Sequence, residues 1–175
     1  MAAFGAIAAV LGCGGGGQYS YAREYVPLGQ EEEFLEQASP VSYEEVRRDP
    51  ADFRESNLGW FGIVTRVQHE DGGNATVALT YRNHRERHLC GDERSSSCRV
   101  TVSERAIGPF SIQIQMRPED REGQDRMWVG SLVKVYGSPT GDFDDEGGPL
   151  IRAAFYRHWP RGTYVTTGAA GSMRR

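Results

Sequence analysis

Apolar and polar positions begin to alternate with a period of two at Leu58 and continue to do so almost to the end of the chain. Phe61, Ile63 and Val67 alternate with Gly62, Val64 and Arg66, and the same rhythm runs through residues 75–81, 98–102 and 110–116. Apolar runs at 132–136 and 150–159 follow, and Tyr164, Val165 and Thr166 suit a short edge strand. Six strands with one apolar face, separated by Gly, Pro and Asp clusters, predict an antiparallel sheet. Strands this short and sequential favour a small closed barrel over a sandwich. Gly59 and Gly62 allow a long first strand to bend across the barrel. The pattern therefore predicts a mainly β chain: a small antiparallel OB-like β-barrel preceded by a short N-terminal helix.

That helix is written at residues 41–48. Ser42 stands at the N-cap and Glu45 three places on, with Val41 and Val46 flanking them as a hydrophobic staple. Arg47 and Arg48 suit the C-terminal end of the helix dipole, and Pro50 stops it. Asp49-Pro50-Ala51-Asp52 suits a second short turn. Upstream, residues 18–40 mix aromatics, an acidic run and Pro, and read as a linker with one short helix near 31–37. Residues 168–175 read as a frayed tail.

The first thirteen residues change the picture. They are apolar and uncharged up to Cys13, and four glycines follow. Val10-Leu11-Gly12-Cys13 resembles a bacterial lipobox, in which a short apolar segment with a small residue before Cys is cleaved and the Cys is lipidated. The organisation expected is thus a signal peptide (1–12), lipidated Cys13 with a flexible linker (13–40), the barrel (41–167) and a tail (168–175). Gly14 is not the Asp that marks inner-membrane retention, so the expected location is the bacterial outer membrane, facing the periplasm. No internal stretch reaches the roughly 20 apolar residues of a spanning helix. The net charge of −4, with 24 acidic against 20 basic side chains, argues against a general nucleic-acid partner.

Residues 129–141 and 149–159, with the Tyr43-Glu44-Glu45 to Asp49-Pro50 helix, the Gly62-Ile63-Val64-Thr65-Arg66-Val67 strand and the closing Tyr156 and Trp159, resemble the Slp-type lipoproteins, the starvation-inducible outer-membrane lipoproteins of diderm bacteria. The resemblance covers most of residues 41–160 and is interrupted by an insertion at 82–97. It implies an anchored β-barrel with no catalytic residues to carry over.

Candidate chemistry is densest in His84-Arg-Glu-Arg-His88-Leu-Cys90, with Cys98 following. With Cys13 taken by lipid, two thiols remain, and an exported compartment oxidises them. A Cys90–Cys98 bond closes a nine-residue loop, worth about 2.6 kcal/mol in the chain-entropy model. The weaker alternative is a metal held by His84, His88, Cys90 and Cys98, whose spacing matches no standard zinc module. Residues 141–148 resemble half a calcium loop, but its twelfth position falls on Ala153, so an acidic hairpin turn is the better reading. Lys134, Tyr136, Arg152, Tyr156, His158 and Trp159 interleave charge with aromatics and form a candidate ligand surface.

No nucleophile elbow or phosphate loop is present. The function expected is a lipid-anchored, non-enzymatic outer-membrane lipoprotein without a cofactor, attached to the membrane by its lipid and partnered by another envelope protein. The alternative is an OB-type binding module for an oligosaccharide, oligonucleotide or peptide.

Overall fold

The computed structural model describes residues 27–89 and 99–172. Two helices, α1 (Gly29–Glu36) and α2 (Tyr43–Arg48), and a 3-10 turn (Pro50–Phe53) precede the strands β1 (Leu58–His69) and β2 (Asn74–Arg82). Then come β3 (His84–Leu89), β4 (Arg99–Val102), β5 (Pro109–Gln115), the one-turn helix α3 (Pro118–Arg121), β6 (Leu132–Phe143) and β7 (Pro149–Trp159). A short strand β8 (Val165–Thr166) and helix α4 (Thr167–Ser172) end the described chain.

Five of the strands close into a barrel in the order β1-β2-β5-β7-β6. Relative to the barrel strands alone the order is 1-2-3-5-4, the OB-like arrangement. The sheet is not wholly antiparallel as expected: β5 and β7 run parallel, in register from Ser111–Leu150 to Gln113–Arg152. The reason is parity. Around a ring of five strands the direction cannot alternate at every step, so at least one neighbouring pair must be parallel.

Alternation sends Trp60, Leu79, Phe110, Ile112, Val133, Val135 and Ile151 into the barrel core. At the start of β5, Tyr43 of α2 stacks on Tyr81 at 4.9 Å and packs with Trp60 and Phe110, and its hydroxyl donates to the Pro109 carbonyl at 2.8 Å. Past the end of β5, Met116 and Met127 fill the core beneath α3. The α2 cap forms as its residues predict: Ser42 Oγ accepts from the Glu45 amide, and Glu45 Oε2 accepts from the Ser42 amide at 2.9 Å. Asp49 caps the 3-10 turn that follows.

Three expectations are corrected. Of the strand expected at 98–102, residues 99–102 do not enter the barrel: β4 belongs to a separate three-stranded sheet, order β3-β4-β8, which lies over the outside of the barrel. Its apolar side buries Val100 and Val102 against Phe61, Leu132 and Trp159, so the alternation was real but addressed a second core. The polar stretch His84–Leu89, outside the six expected strands, is a strand because its backbone pairs with β4. The short helix expected near 31–37 forms as α1, two residues earlier, and docks on the barrel with Glu31 completely buried. At the other end, Gly168 and its neighbours form α4 rather than a frayed tail.

Gly137 sits where the β6–β7 register shifts, and a Cβ there would lie 2.1 Å from the Arg152 carbonyl oxygen. A Cβ on Gly29 would meet nothing within 4 Å. Gly137→Ala is therefore expected to lower the thermal midpoint by about 4–8 °C, the cost of overpacking against backbone. Gly29→Ala is expected to leave it unchanged or raise it slightly, because Ala is the better helix former. Circular-dichroism melts of the two variants check both signs.

Candidate functional site

The six residues nominated as a ligand surface do not form one. Strand alternation sends Lys134, Tyr136 and Trp159 to the outside of the barrel but Tyr156 and His158 to the opposite side of β7. The outward set is covered by α1 and by the β3-β4-β8 sheet, leaving Lys134 only 6 % and Trp159 only 4 % exposed. Arg152 alone is exposed to solvent.

Beneath α1 lies a buried charged cluster. Lys134 and Arg157 face each other across β6 and β7. Glu31 reaches down to them: its Oε1 accepts from the Tyr136 hydroxyl at 2.8 Å, and its Oε2 accepts from Arg157 Nη1 at 3.2 Å. Phe34, one helical turn later, stacks on Phe155 at 5.1 Å. The Lys134 ammonium lies 4.4 Å from the Phe61 ring centroid and the Arg157 guanidinium 4.5 Å from that of Trp159, both within cation–π range. Burial pushes the Lys134 ammonium down to about 8, with Glu31 pulling it up and Arg157 opposing. Lys134 is the only Lys of the chain. Glu31 was missed, because an acidic residue in an acidic run reads as solvated.

On the inner side, α3 is fastened to β7 by Asp120. The carboxylate accepts from the Tyr156 hydroxyl at 2.6 Å and lies 2.7 Å from His158 Nδ1. Burial pushes the Asp120 carboxyl up, but the hydrogen bonds from His158 and Tyr156 outweigh it and hold the group below its ordinary value. Burial and the Asp120 contact push the Tyr156 phenol up to about 12. Arg117 completes the cluster: its amide donates to the Tyr156 hydroxyl at 2.9 Å, and its guanidinium donates to the Tyr156 carbonyl.

Two clefts open where the pairing of β7 is interrupted. Pairing with β5 ends at Arg152, and the register with β6 shifts across residues 153–155, so that Ala154 bulges out. A cleft of about 490 Å³ lies on the β6 side, between Arg54, Asn57 and Arg152. One of about 250 Å³ lies on the β5 side, between Gln30, Gln115 and Arg117. Both have Ala153 and Ala154 as floor, and no Asp or Glu lines either. A third cleft, beside α2, contains both Glu44 and Arg47.

Asp144 Oδ1 accepts from the Glu146 and Gly148 amides, and its Oδ2 accepts from Ser111, so the acidic hairpin turn uses this carboxylate to shape itself. His84 stacks on Phe61 at 4.7 Å, and His88 lies opposite Val100 on β3. Cys13, Cys90 and Cys98 lie outside the described residues. Among the described residues no group of three His, Cys, Asp or Glu is placed to hold a metal.

Removing the Glu31 carboxylate leaves two cations under α1. Glu31→Ala is expected to cost about 3–5 kcal/mol and to open residues 29–36 to a Glu-specific protease, while Glu31→Gln, which still accepts from Tyr136, costs less. Urea titration with limited proteolysis checks this. Lys134 sets a pH dependence of known sign. Its folded value of about 8 lies below the ordinary 10.5, so between those limits the unfolded chain binds more protons and stability rises with pH. Wild type is expected to gain on Lys134→Met by up to about 1.4 kcal/mol per pH unit above pH 8. Paired urea titrations at several pH values cancel the opposing effect of the buried tyrosines, which both proteins share.

No protein-family model matches the chain, and no curated protein matches it.

Proposed function

We propose that the chain is a lipid-anchored, non-catalytic envelope protein whose OB-like barrel faces the periplasm from the outer membrane. The observation that carries this reading is Val10-Leu11-Gly12-Cys13 followed by four glycines. Fifteen residues separate Cys13 from Gly29 and serve as spacer between lipid and domain. The likeness of residues 41–160 to the Slp-type lipoproteins supports the same role. A structural or accessory task also suits the polar groups of β6 and β7. Lys134, Tyr136 and Arg157 hold α1, and Tyr156 and His158 hold α3, so these groups are spent on assembling the domain.

A second reading, an OB-type binding module, is favoured by one observation. The groove over Ala153 and Ala154 is lined by three arginines and no carboxylate in a chain whose net charge is −4.

Metabolic labelling with a clickable fatty acid tests the anchor. Wild-type protein is expected to carry label in the membrane fraction, and Cys13→Ala is expected to lose both label and membrane association. Label persisting in Cys13→Ala, or absent from wild type, refutes the anchor.

A further inference from the structure

We infer that the groove formed by the two clefts along β7 binds an anionic oligosaccharide, a chain of hydroxylated rings bearing carboxylates. The inference rests on the binding-module reading and names its ligand class. Charge is the first argument. Acidic side chains outnumber basic ones, 24 to 20, in the chain as a whole. This groove has Arg54 and Arg152 at one end, Arg117 at the other and no Asp or Glu between them. Arginine matches a carboxylate through paired N–H donors.

Preorganisation is the second argument. Arg54 Nε donates to the Thr140 carbonyl at 2.9 Å, and a Cβ on Gly141 would lie within 2.1 Å of that same nitrogen, so the guanidinium lies flat over the glycine. Arg117 is held by the Tyr156 carbonyl and by Asp120 at 3.6 Å. Arg152 makes no hydrogen bond or ion pair among the described residues and is free to meet a ligand. The floor is Ala153 and Ala154, small enough to admit a ring, and the bulge there turns β7 away from its neighbours.

The remaining lining chemistry separates ligand classes. Asn57 and Gln115 bring side-chain amides to opposite ends. Asn57 Oδ1 accepts from Ser138 Oγ at 3.3 Å and Gln115 Nε2 donates to the Gly72 carbonyl at 3.0 Å, which leaves the Asn57 amide nitrogen and the Gln115 amide oxygen for sugar hydroxyls. Single-stranded nucleic acid needs exposed ring faces for its bases, whereas Phe155 is already stacked by Phe34 and Tyr156 is buried under Arg117. An added peptide strand needs a regular open edge, and the shift in register across residues 153–155 breaks that regularity.

The test is calorimetric titration of the full chain, unlipidated, with a galacturonate hexamer, maltohexaose, hexaglutamate and a deoxythymidine hexamer. The galacturonate hexamer is expected to bind, to weaken as salt is added, and to bind at least tenfold more tightly than the other three. Arg152→Gln and Arg152→Glu are expected to lose about tenfold or more with unchanged thermal midpoints, while Arg47→Gln, in the third cleft, binds as wild type. Tighter binding of hexaglutamate or the deoxythymidine hexamer, or equal binding of maltohexaose, overturns the ligand class and leaves the binding module standing. Galacturonate binding unaffected by Arg152→Glu overturns the groove as its place. No binding of any probe overturns both the inference and the module reading, and leaves the lipid-anchor proposal untouched.

Discussion

Five strands cannot alternate in direction all the way round a ring, and this parity sets where the molecule is weak and where it is open. The parallel neighbours are β5 and β7, and the contact between them spans only three registered pairs. Parallel strands cannot be joined by a tight hairpin, so the chain leaves β5, turns through α3, runs along β6 and returns along β7. At the seam the backbone ladder stops early, β5 and β7 part after Arg152, and the gap is closed by side chains. Arg117, Asp120 and Tyr156 bridge it with hydrogen bonds that a ladder would otherwise supply. The groove over Ala153 and Ala154 is the part of the seam that these residues leave open.

The same economy explains the charges under α1. The helix Gly29–Glu36 offers only Phe34 and Leu35 as large apolar residues, too few to dock it by burial alone. Its position is set by Glu31, whose two oxygens are fixed by Tyr136 and Arg157. A buried ion pair gives little net stability relative to well-packed apolar residues, because desolvation consumes most of the attraction. It gives direction. A helix shifted by one residue would leave the carboxylate, Arg157 and Lys134 mutually unsatisfied, which costs far more than the pair contributes. The docked orientation is thereby made unique even though its apolar contact is small.

How much of this was legible follows from range. Period-two alternation located the barrel strands from Leu58 to Trp159, and the Ser42–Glu45 cap located α2, because both are local patterns. The placement of β4 was not legible: Val100 and Val102 alternate as a barrel strand would, and only pairing with β3 and β8 tells which core they serve. Lys134, Tyr136, Arg152, Tyr156, His158 and Trp159 were read as one surface; strand alternation divides them between two faces, and nothing nearby in sequence says that either face is covered. Glu31 lies 105 residues from Tyr136 and 126 from Arg157, and no spacing rule reaches so far. For the same reason the groove was touched only through Arg152: its other arginines come from before β1 and after β5.

The order of residues along the N-terminal segment ties these features together mechanically. Gln30 lines the cleft on the β5 side, and the next residue, Glu31, is the buried pivot of α1. The Leu28 amide in turn donates to the Glu31 carboxylate at 3.2 Å, so the chain approaching from Cys13 is gripped at the point where it meets the barrel. A lipid anchor pulling on this segment would act first on Leu28 and Gln30, and through them on the wall of the groove. Tension along the tether and occupancy of the groove would then bear on one side chain. The buried carboxylate of Glu31 resists that pull, because drawing α1 outward strands Arg157 and Lys134 in the apolar layer formed by Phe61, Phe155 and Trp159. Under the proposed anchor, α1 would be the rigid entry point that keeps the first turn of chain, and with it Gln30 in the wall of the cleft, on the domain.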